Sequence, residues 1–386
     1  MKSKWELKPL GLIAENLDSR RIPITKNVRD TGQYPYYGAS GIVDYVGDFI
    51  FDEDLLLVSE DGANLLARTY PIAFSISGKT WVNNHAHVLR FEKIVTQKIV
   101  EYFLNSISLA DYVSGMAQPK LNQKMLNSIL VPFPPLTEQK RIVTILDEAF
   151  EGIADATANA EKNLRNAREL FERYLHAVFT EQGNGWLVRN LGDLATFRNG
   201  INFTKSSKGA AVRIVGVKDF QKHFYAPVDD LDSVITEGKL PESDFLSQND
   251  ILFVRSNGNL ELIGRSILIG ELSEKTTFSG FTIRARLNDE SIYPEYLCHY
   301  LKSGVARRTM IDGGNGVNIK SLNQTTLSEL AIPLPPSVKE QKAVVSHLES
   351  LSTDVQRLES VYQQKLDALA ELKKSILHQA FTGQLH

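Results

Sequence analysis

The chain has 386 residues, 42% hydrophobic and 23% charged, with a net charge of −3 and a single cysteine, Cys298. These totals fit a folded protein of two or more domains. They exclude a disulfide framework, a cysteine metal cluster and nucleic-acid binding through bulk positive charge. No apolar run is long enough to span a bilayer, and the amino-terminal MKSKWELKPLGLIAENLD lacks a signal-peptide core, so a reduced, cytoplasmic setting with no membrane partner is expected.

Residues 1–136 carry 14 basic and 14 acidic side chains. Short apolar runs bounded by Gly, Asn and Asp predict strands over 55–60, 73–77 and 85–91, and KIVEYFLNSI predicts a helix over 98–107. Between them, YPYYGASG (34–41), SEDGANL (59–65) and SGKTWVNNHAH (77–87) gather aromatic, Gly, Asn and Ser residues in polar loops. Side chains of these polar types match the donor and acceptor patterns of base edges, and small residues let the backbone approach phosphate. The candidates for touching DNA in this half are Tyr36, Tyr37, Ser40, Ser59, Asp61, Asn64, Lys79, Trp81, Asn83, Asn84 and His85. Two other chemistries fail on spacing. SGKT imitates the end of a nucleotide-binding loop, but Ala73 stands where the leading Gly belongs and a strand, not a helix, follows. His85 and His87 lie two apart on a strand with no cysteine or acidic cluster to support them, so no metal is assigned.

Pro132, Pro134 and Pro135 forbid helix and favour an extended lead-in. Thr137 can then cap a long helix over 137–183, with Glu138 in its positive first turn. Ile142, Leu146, Ala149, Ile153, Ala156, Ala160, Asn163, Ala167, Leu170, Tyr174 and Ala177 alternate in steps of four and three, the pattern of a coiled-coil seam.

After this helix the chain begins again. WLVRNLGDLA (186–195) repeats WELKPLGLIA (5–14), LNQTTLSELAIPLPPSVKEQKAVV (322–345) repeats LNQKMLNSILVPFPPLTEQKRIV (121–143), and LHQAFT (377–382) repeats LHAVFT (175–180). Three ordered matches at a period near half the chain mark a duplicated module and not a solenoid. Residues 185–336, with 17 basic and 17 acidic side chains, predict strands over 251–256 and 266–272 and a helix over 294–303. Their polar loops, RNGINFTKSSKG (198–209), RSNGNLELIGRS (255–266), FSGFTIR (278–284) and GGNGVNIKSLN (313–323), supply a second set of candidates for DNA: Arg198, Asn202, Lys205, Lys208, Arg255, Asn257, Asn259, Ser279, Phe281, Asn315 and Lys320.

Pro333, Pro335 and Pro336 precede a second long helix, with Ser337 as cap and Glu340 in its first turn. Its seam runs Val344, Leu348, Leu351, Val355, Leu358, Tyr362, Lys365, Leu369, Leu372 and Ile376. An Ala-rich first seam suits a Leu-rich second one. The equivalent polar positions Asn163 and Lys365 are expected to meet near mid-helix and pin the register. The predicted fold is α+β. Two mixed α/β domains, 1–136 and 184–336, are separated by two long antiparallel helices, 137–183 and 337–386, forming a coiled coil with a pseudo-twofold internal repeat.

At VPFPPLTEQKRIV and IPLPPSVKEQKAVV the chain resembles the specificity subunits of type I restriction–modification enzymes, and QPKLNQ (118–123), YPYYGASG and FSGFTIR extend the likeness over nearly its whole length. The resemblance implies two target-recognition domains that bind an asymmetric, two-part site in double-stranded DNA. It also implies two methyltransferase subunits gripping the central helices and restriction nuclease subunits joining the complex. It implies no catalysis and no cofactor in this chain, S-adenosylmethionine belonging to the partner methyltransferase. In keeping with that, the sequence contains no N-P-P-[FY], D-P-P-Y or F-x-G-x-G. Two dissimilar readers on a rigid helix pair would read a split sequence with a gap set by helix length. Their balanced charge would leave much of the phosphate neutralisation to the partners.

Overall fold

In a computed structural model, residues 5–115, 118–203, 209–220, 223–312 and 321–385 are described. The chain parts into two units, Met1–Glu161 with Gln363–His386, and Lys162–Tyr362. Each unit therefore takes part of both long helices, whereas the sequence reading gives each helix a domain of its own.

The first unit holds β1 (Leu7–Pro9), β2 (Glu15–Asn16), β3 (Thr31–Gly38), β4 (Gly41–Val46), β5 (Phe51–Asp52), β6 (Leu55–Ser59), β7 (Ala73–Ile76), β8 (Lys79–Val82), β9 (Ala86–Arg90) and β10 (Leu130–Pro132). Its helices are α1 (Asn64–Ala67), α2 (Ile94–Ser106), α3 (Gln123–Ser128) and the start of α4 (Leu136–Thr180). The strands form two four-stranded sheets, β4-β3-β8-β5 and β2-β9-β6-β7, and the pair β1-β10. β6 is buried throughout, which is why it reads as a continuous apolar run. YPYYGASG, expected as a loop, forms the second half of β3 and the turn into β4, and Gly41 at φ +119° supplies the left-handed backbone that this turn requires.

The second unit holds β11 (Leu187–Asn190), β12 (Ala195–Asn199), β13 (Ala211–Val215), β14 (Asp232–Ile235), β15 (Ile251–Val254), β16 (Ser266–Leu268), β17 (Thr276–Phe278), β18 (Thr282–Leu287) and β19 (Ala331–Leu334). Its helices are α5 (Leu191–Leu194), α6 (Pro294–Lys302), α7 (Gly304–Asp312), α8 (Gln324–Ser328) and the start of α9 (Val338–Thr382). The sheets are β12-β18-β15-β16 and β14-β13-β17, beside the pair β11-β19.

The repeated tracts converge within each unit. The Trp-led tract pairs with the proline lead-in, Leu7 opposite Pro132 in one unit and Leu187 opposite Leu334 in the other. The leucine of each LNQ, Leu121 or Leu322, is fully buried, and the following asparagine caps a short helix by accepting from the N–H of Met125 (3.0 Å) or Thr326 (2.8 Å). The glutamine of each Glu–Gln pair is buried as well. Gln139 accepts from the Thr96 hydroxyl (2.8 Å) and donates to the Pro134 carbonyl (2.9 Å). Gln341 accepts from the Tyr293 N–H (2.7 Å) and donates to the Ser291 carbonyl (2.9 Å). In both units the glutamine thus ties the long helix to its surroundings through a carboxamide with both ends used. Gln341→Ala strands a backbone donor and an acceptor, and should destabilise the full chain by about 1–3 kcal/mol in urea titration. An unchanged midpoint would mean that this clamp contributes nothing.

Within each unit the long helices run antiparallel. In the first, Ile142, Val143 and Leu146 of α4 share a core with Leu377, Ala380 and Phe381 of α9. There Arg141 donates to the Leu385 carbonyl (2.8 Å), and the Lys373 ammonium lies over Phe150 at 5.0 Å. In the second, Leu175 and Phe179 share a core with Val345 and Leu348, and Arg168 pairs with Glu359 at 2.9 Å.

The buried stripe departs from the strict heptad. Ile142, Leu146, Leu348 and Val355 are buried and Ile153 is half-buried, but Leu170, Leu358 and Leu372 are 47%, 38% and 47% exposed. Ala160 and Ala167 keep the seam on α4, with Leu164, Leu175 and Phe179 buried beside it, and on α9 Tyr362 and Leu369 are half-buried together with the off-seam Glu359 and Leu366. A 3.6-residue turn drifts about 20° per heptad, which is enough to move the contact face by one position. Asn163 and Lys365 are both exposed and fall in different units. The first cap also differs. α4 begins at Leu136, so Thr137 lies inside the helix, whereas Ser337 does cap α9 by accepting from the Glu340 N–H at 3.3 Å. No described helix is long and apolar enough to cross a membrane.

Candidate nucleic-acid interface

In the first unit three connections meet at one edge: the β3–β4 turn, the exit of β6 and the β8–β9 turn. The Ser59 hydroxyl donates to the Ala39 carbonyl (2.5 Å), the Asn83 N–H to Tyr37 O (3.0 Å), and the Glu60 N–H to His85 O (2.9 Å). The Asn83 carboxamide accepts from the His85 N–H (2.8 Å), locking the turn. Ser40, Asp61, Asn84 and His85 are left at the rim, with His85 52% exposed and its Nδ1 2.8 Å from Asp61 Oδ2. A carboxylate only accepts, so this contact places a proton on Nδ1 and leaves Nε2 for a ligand.

Behind the rim lies a largely buried charge network. Glu60 pairs with Arg21 (2.6 Å) and Lys120 (3.2 Å), while His87 Nδ1 lies 2.5 Å from Asp18 and its Nε2 2.7 Å from the Leu121 carbonyl. Burial works against ionised Asp18, yet the His87 hydrogen bond and charge, the Val88 N–H and Arg21 together hold its pKa below the usual value. Asp18, Glu60 and His87 are the one trio among the described residues whose ligating atoms cluster closely enough for a metal, all within 4.8 Å of one another. Arg21 and Lys120 already sit against that charge, and acceptors face both His87 nitrogens, so the donor set is that of a proton-bridged ion network. Nothing near Asp18, Arg21 or Lys120 in the sequence signals it, because the partners come from distant segments.

The second unit repeats the arrangement. The Ile201 N–H donates to Phe278 O (2.9 Å), the Gly280 N–H to Ile201 O (2.7 Å), the Arg255 N–H to Phe281 O (2.8 Å) and the Leu322 N–H to Arg255 O (2.8 Å). Gly200 permits this closure, since a Cβ there would sit 2.2 Å from the Ser279 carbonyl oxygen. Asn202, Arg255, Asn257, Asn259 and Phe281 line the rim, and Phe281 is 61% exposed. The Asn257 and Asn259 carboxamide oxygens accept from the Asn259 and Glu261 N–H groups (2.8 and 3.0 Å), which shapes the loop.

Residues 2–164 and again 183–367 match the type I restriction modification DNA specificity domain. The chain belongs to that family. A putative type I restriction enzyme specificity subunit of Haemophilus influenzae is 27% identical over 91% of this chain and 88% of its own length. The EcoKI specificity subunit of Escherichia coli is 26% identical over 81% and 74%. The fold is shared with the HsdS subunit of Thermoanaerobacter tengcongensis, with a TM-score of 0.60 at 18% identity, covering 100% of this chain and 99% of that one. It is shared more closely with a chain from a structure of complex assembly and conformational transition in a type I system, with a TM-score of 0.73 at 18% identity, covering 99% and 98%. The protein is thus a type I specificity subunit, a non-catalytic member of such systems.

Within the two specificity domains several sequence candidates are otherwise engaged. Tyr36 is buried, its hydroxyl accepting from the Ile24 N–H at 3.0 Å. Ser59, Asn83 and Ser279 are buried in the turns they brace. Asn64 is buried, accepting from the Thr69 N–H and donating to the Tyr70 carbonyl, both at 2.9 Å. Tyr37 is half-buried against Phe74. Trp81 is pinned by its indole N–H to Ile22 O (2.6 Å), and Lys79 lies over Phe49 at the end of β8 away from the rim. Arg198 is tied to Asp244 at 2.5 Å. Lys205, Lys208, Asn315 and Lys320 lie outside the described residues. Polarity in a loop does not reveal whether a side chain turns inward to close that loop, as Ser59, Asn64, Asn83 and Ser279 do.

Proposed function

We propose that this specificity subunit binds an asymmetric, two-part site in double-stranded DNA, one part at each rim. Methyltransferase subunits, two by resemblance, would dock on the long helices, and restriction nuclease subunits would join them in the cytoplasm. S-adenosylmethionine would be held by the methyltransferase partners. The observation that carries this reading is one backbone frame built twice, with different side chains at its two rims. Shared frames explain a common DNA geometry, and different side chains explain different sequences. With balanced charge in each reader, the chain alone is expected to bind DNA weakly and with a shallow salt dependence, which methyltransferase partners steepen. Selection from a randomised duplex library by the assembled complex should return two short blocks at fixed spacing. One continuous block, or no sequence preference, would contradict the reading.

A further inference from the structure

We propose that Arg255 reads a guanine in the second half-site, with Phe281 packed against the neighbouring base; this rests on the DNA-reading function proposed above. The backbone of Arg255 is clamped on both sides, its N–H donating to Phe281 O and its carbonyl accepting from the Leu322 N–H, each at 2.8 Å. The same two bonds clamp Glu60 in the first unit, to His85 O at 2.9 Å and from the Leu121 N–H at 2.8 Å, so Glu60 and Arg255 are equivalent positions. Their side chains differ in a decisive way. Glu60 is closed off by Arg21 and Lys120.

The Arg255 guanidinium makes no hydrogen bond or ion pair with any described residue. Arg198 and Arg286 in the same sheet are each committed to an aspartate, at 2.5 and 2.7 Å. A guanidinium with no partner among the described residues, on a fixed backbone at a loop rim, matches the paired acceptors O6 and N7 of guanine, the commonest base-specific contact in the major groove. Phe281, whose carbonyl holds Arg255 in place, exposes 61% of its surface beside that charge. An apolar ring so placed suits a thymine methyl or an exposed base face.

The test is methylome sequencing of a host carrying the full chain with its methyltransferase partners, comparing the parent with Arg255→Gln, Arg255→Lys and Phe281→Ala. Expected is a guanine at one position of one half-site in the parent. Arg255→Gln should lower preference for that guanine by about 10- to 100-fold, Arg255→Lys should retain part of it, and Phe281→Ala should relax an adjacent position, the other half-site staying unchanged. Unaltered base preference in Arg255→Gln overturns the inference, as does equal weakening of both half-sites or loss of all methylation in Arg255→Gln and Arg255→Lys alike. A parent complex that methylates no two-part motif overturns the functional reading itself, a result distinct from a parent motif that the variants leave unmoved.

Discussion

Replacing Asp250 with alanine should destabilise the protein by about 3–5 kcal/mol, the range for breaking a buried ion pair from one side. Asp250 is buried and accepts from Arg286 through Nε (2.8 Å) and Nη2 (2.7 Å), and from the Ser247 N–H (2.7 Å). Arg284 lies 4.0 Å away, itself buried and bonded through Nη1 to the carbonyls of Ser243 (2.9 Å) and Phe245 (3.1 Å). Burial presses the Arg284 pKa down while Asp250 pulls it up. Removing Asp250 leaves two guanidinium groups beside each other with their compensating charge gone. Arg286→Ala should cost less than Asp250→Ala, because Arg286 is more exposed and the aspartate would keep Arg284 and the Ser247 N–H nearby. Urea titration of the parent and both variants measures the ordering. A loss under about 1 kcal/mol in Asp250→Ala would show that water relaxes the site and that the network is not structural.

Acidification should weaken the fold through His299. The imidazole is buried in α6 with its ring 4.5 Å from that of Phe224, and burial, aided by the Lys302 charge, holds its pKa at about 4 against an ordinary 6.5. Between those values the unfolded chain binds a proton that the folded chain refuses. Stability is therefore fully present above pH 6.5 and falls as pH drops toward 4. At about 1.4 kcal/mol per pKa unit, the whole window is worth about 3 kcal/mol. The comparison is urea midpoints at pH 7 and pH 4.5 for the parent and for His299→Phe, which keeps a ring of similar shape without the titrating group. The variant should lose markedly less stability across that interval. Equal losses would place the acid sensitivity elsewhere.

Much of the frame was legible because it is written twice. Prolines 132, 134 and 135 and their second-half counterparts mark helix starts through backbone chemistry that tertiary context cannot override. The buried runs of β6 and β15 stand out by composition. The seam was legible in part: Ala160, Ala167 and Val355 are buried where the heptad places them, whereas Leu170, Leu358 and Leu372 are not, because a heptad template and a 3.6-residue helix drift apart along the helix. The β3–β4 hairpin was hidden by Tyr and Gly residues that suit turns and strands alike. Of the residues that residue type put forward, Arg255, Phe281, Asp61 and His85 lie at the rims, but residue type could not separate them from Tyr36, Asn64, Asn83 and Ser279. Those four have similar chemistry, and their side chains are spent on holding the turns in place.

Two independent readers on a duplicated frame can be separated by a domain exchange. Residues 184–336 are replaced by the matching region of another specificity subunit, and the exchanged chain is assembled with its methyltransferase partners. The sequences it methylates are then read across a genome. One block of the recognised site is expected to change to that of the donor while the other block is retained. A change in both blocks, or in neither, would contradict it.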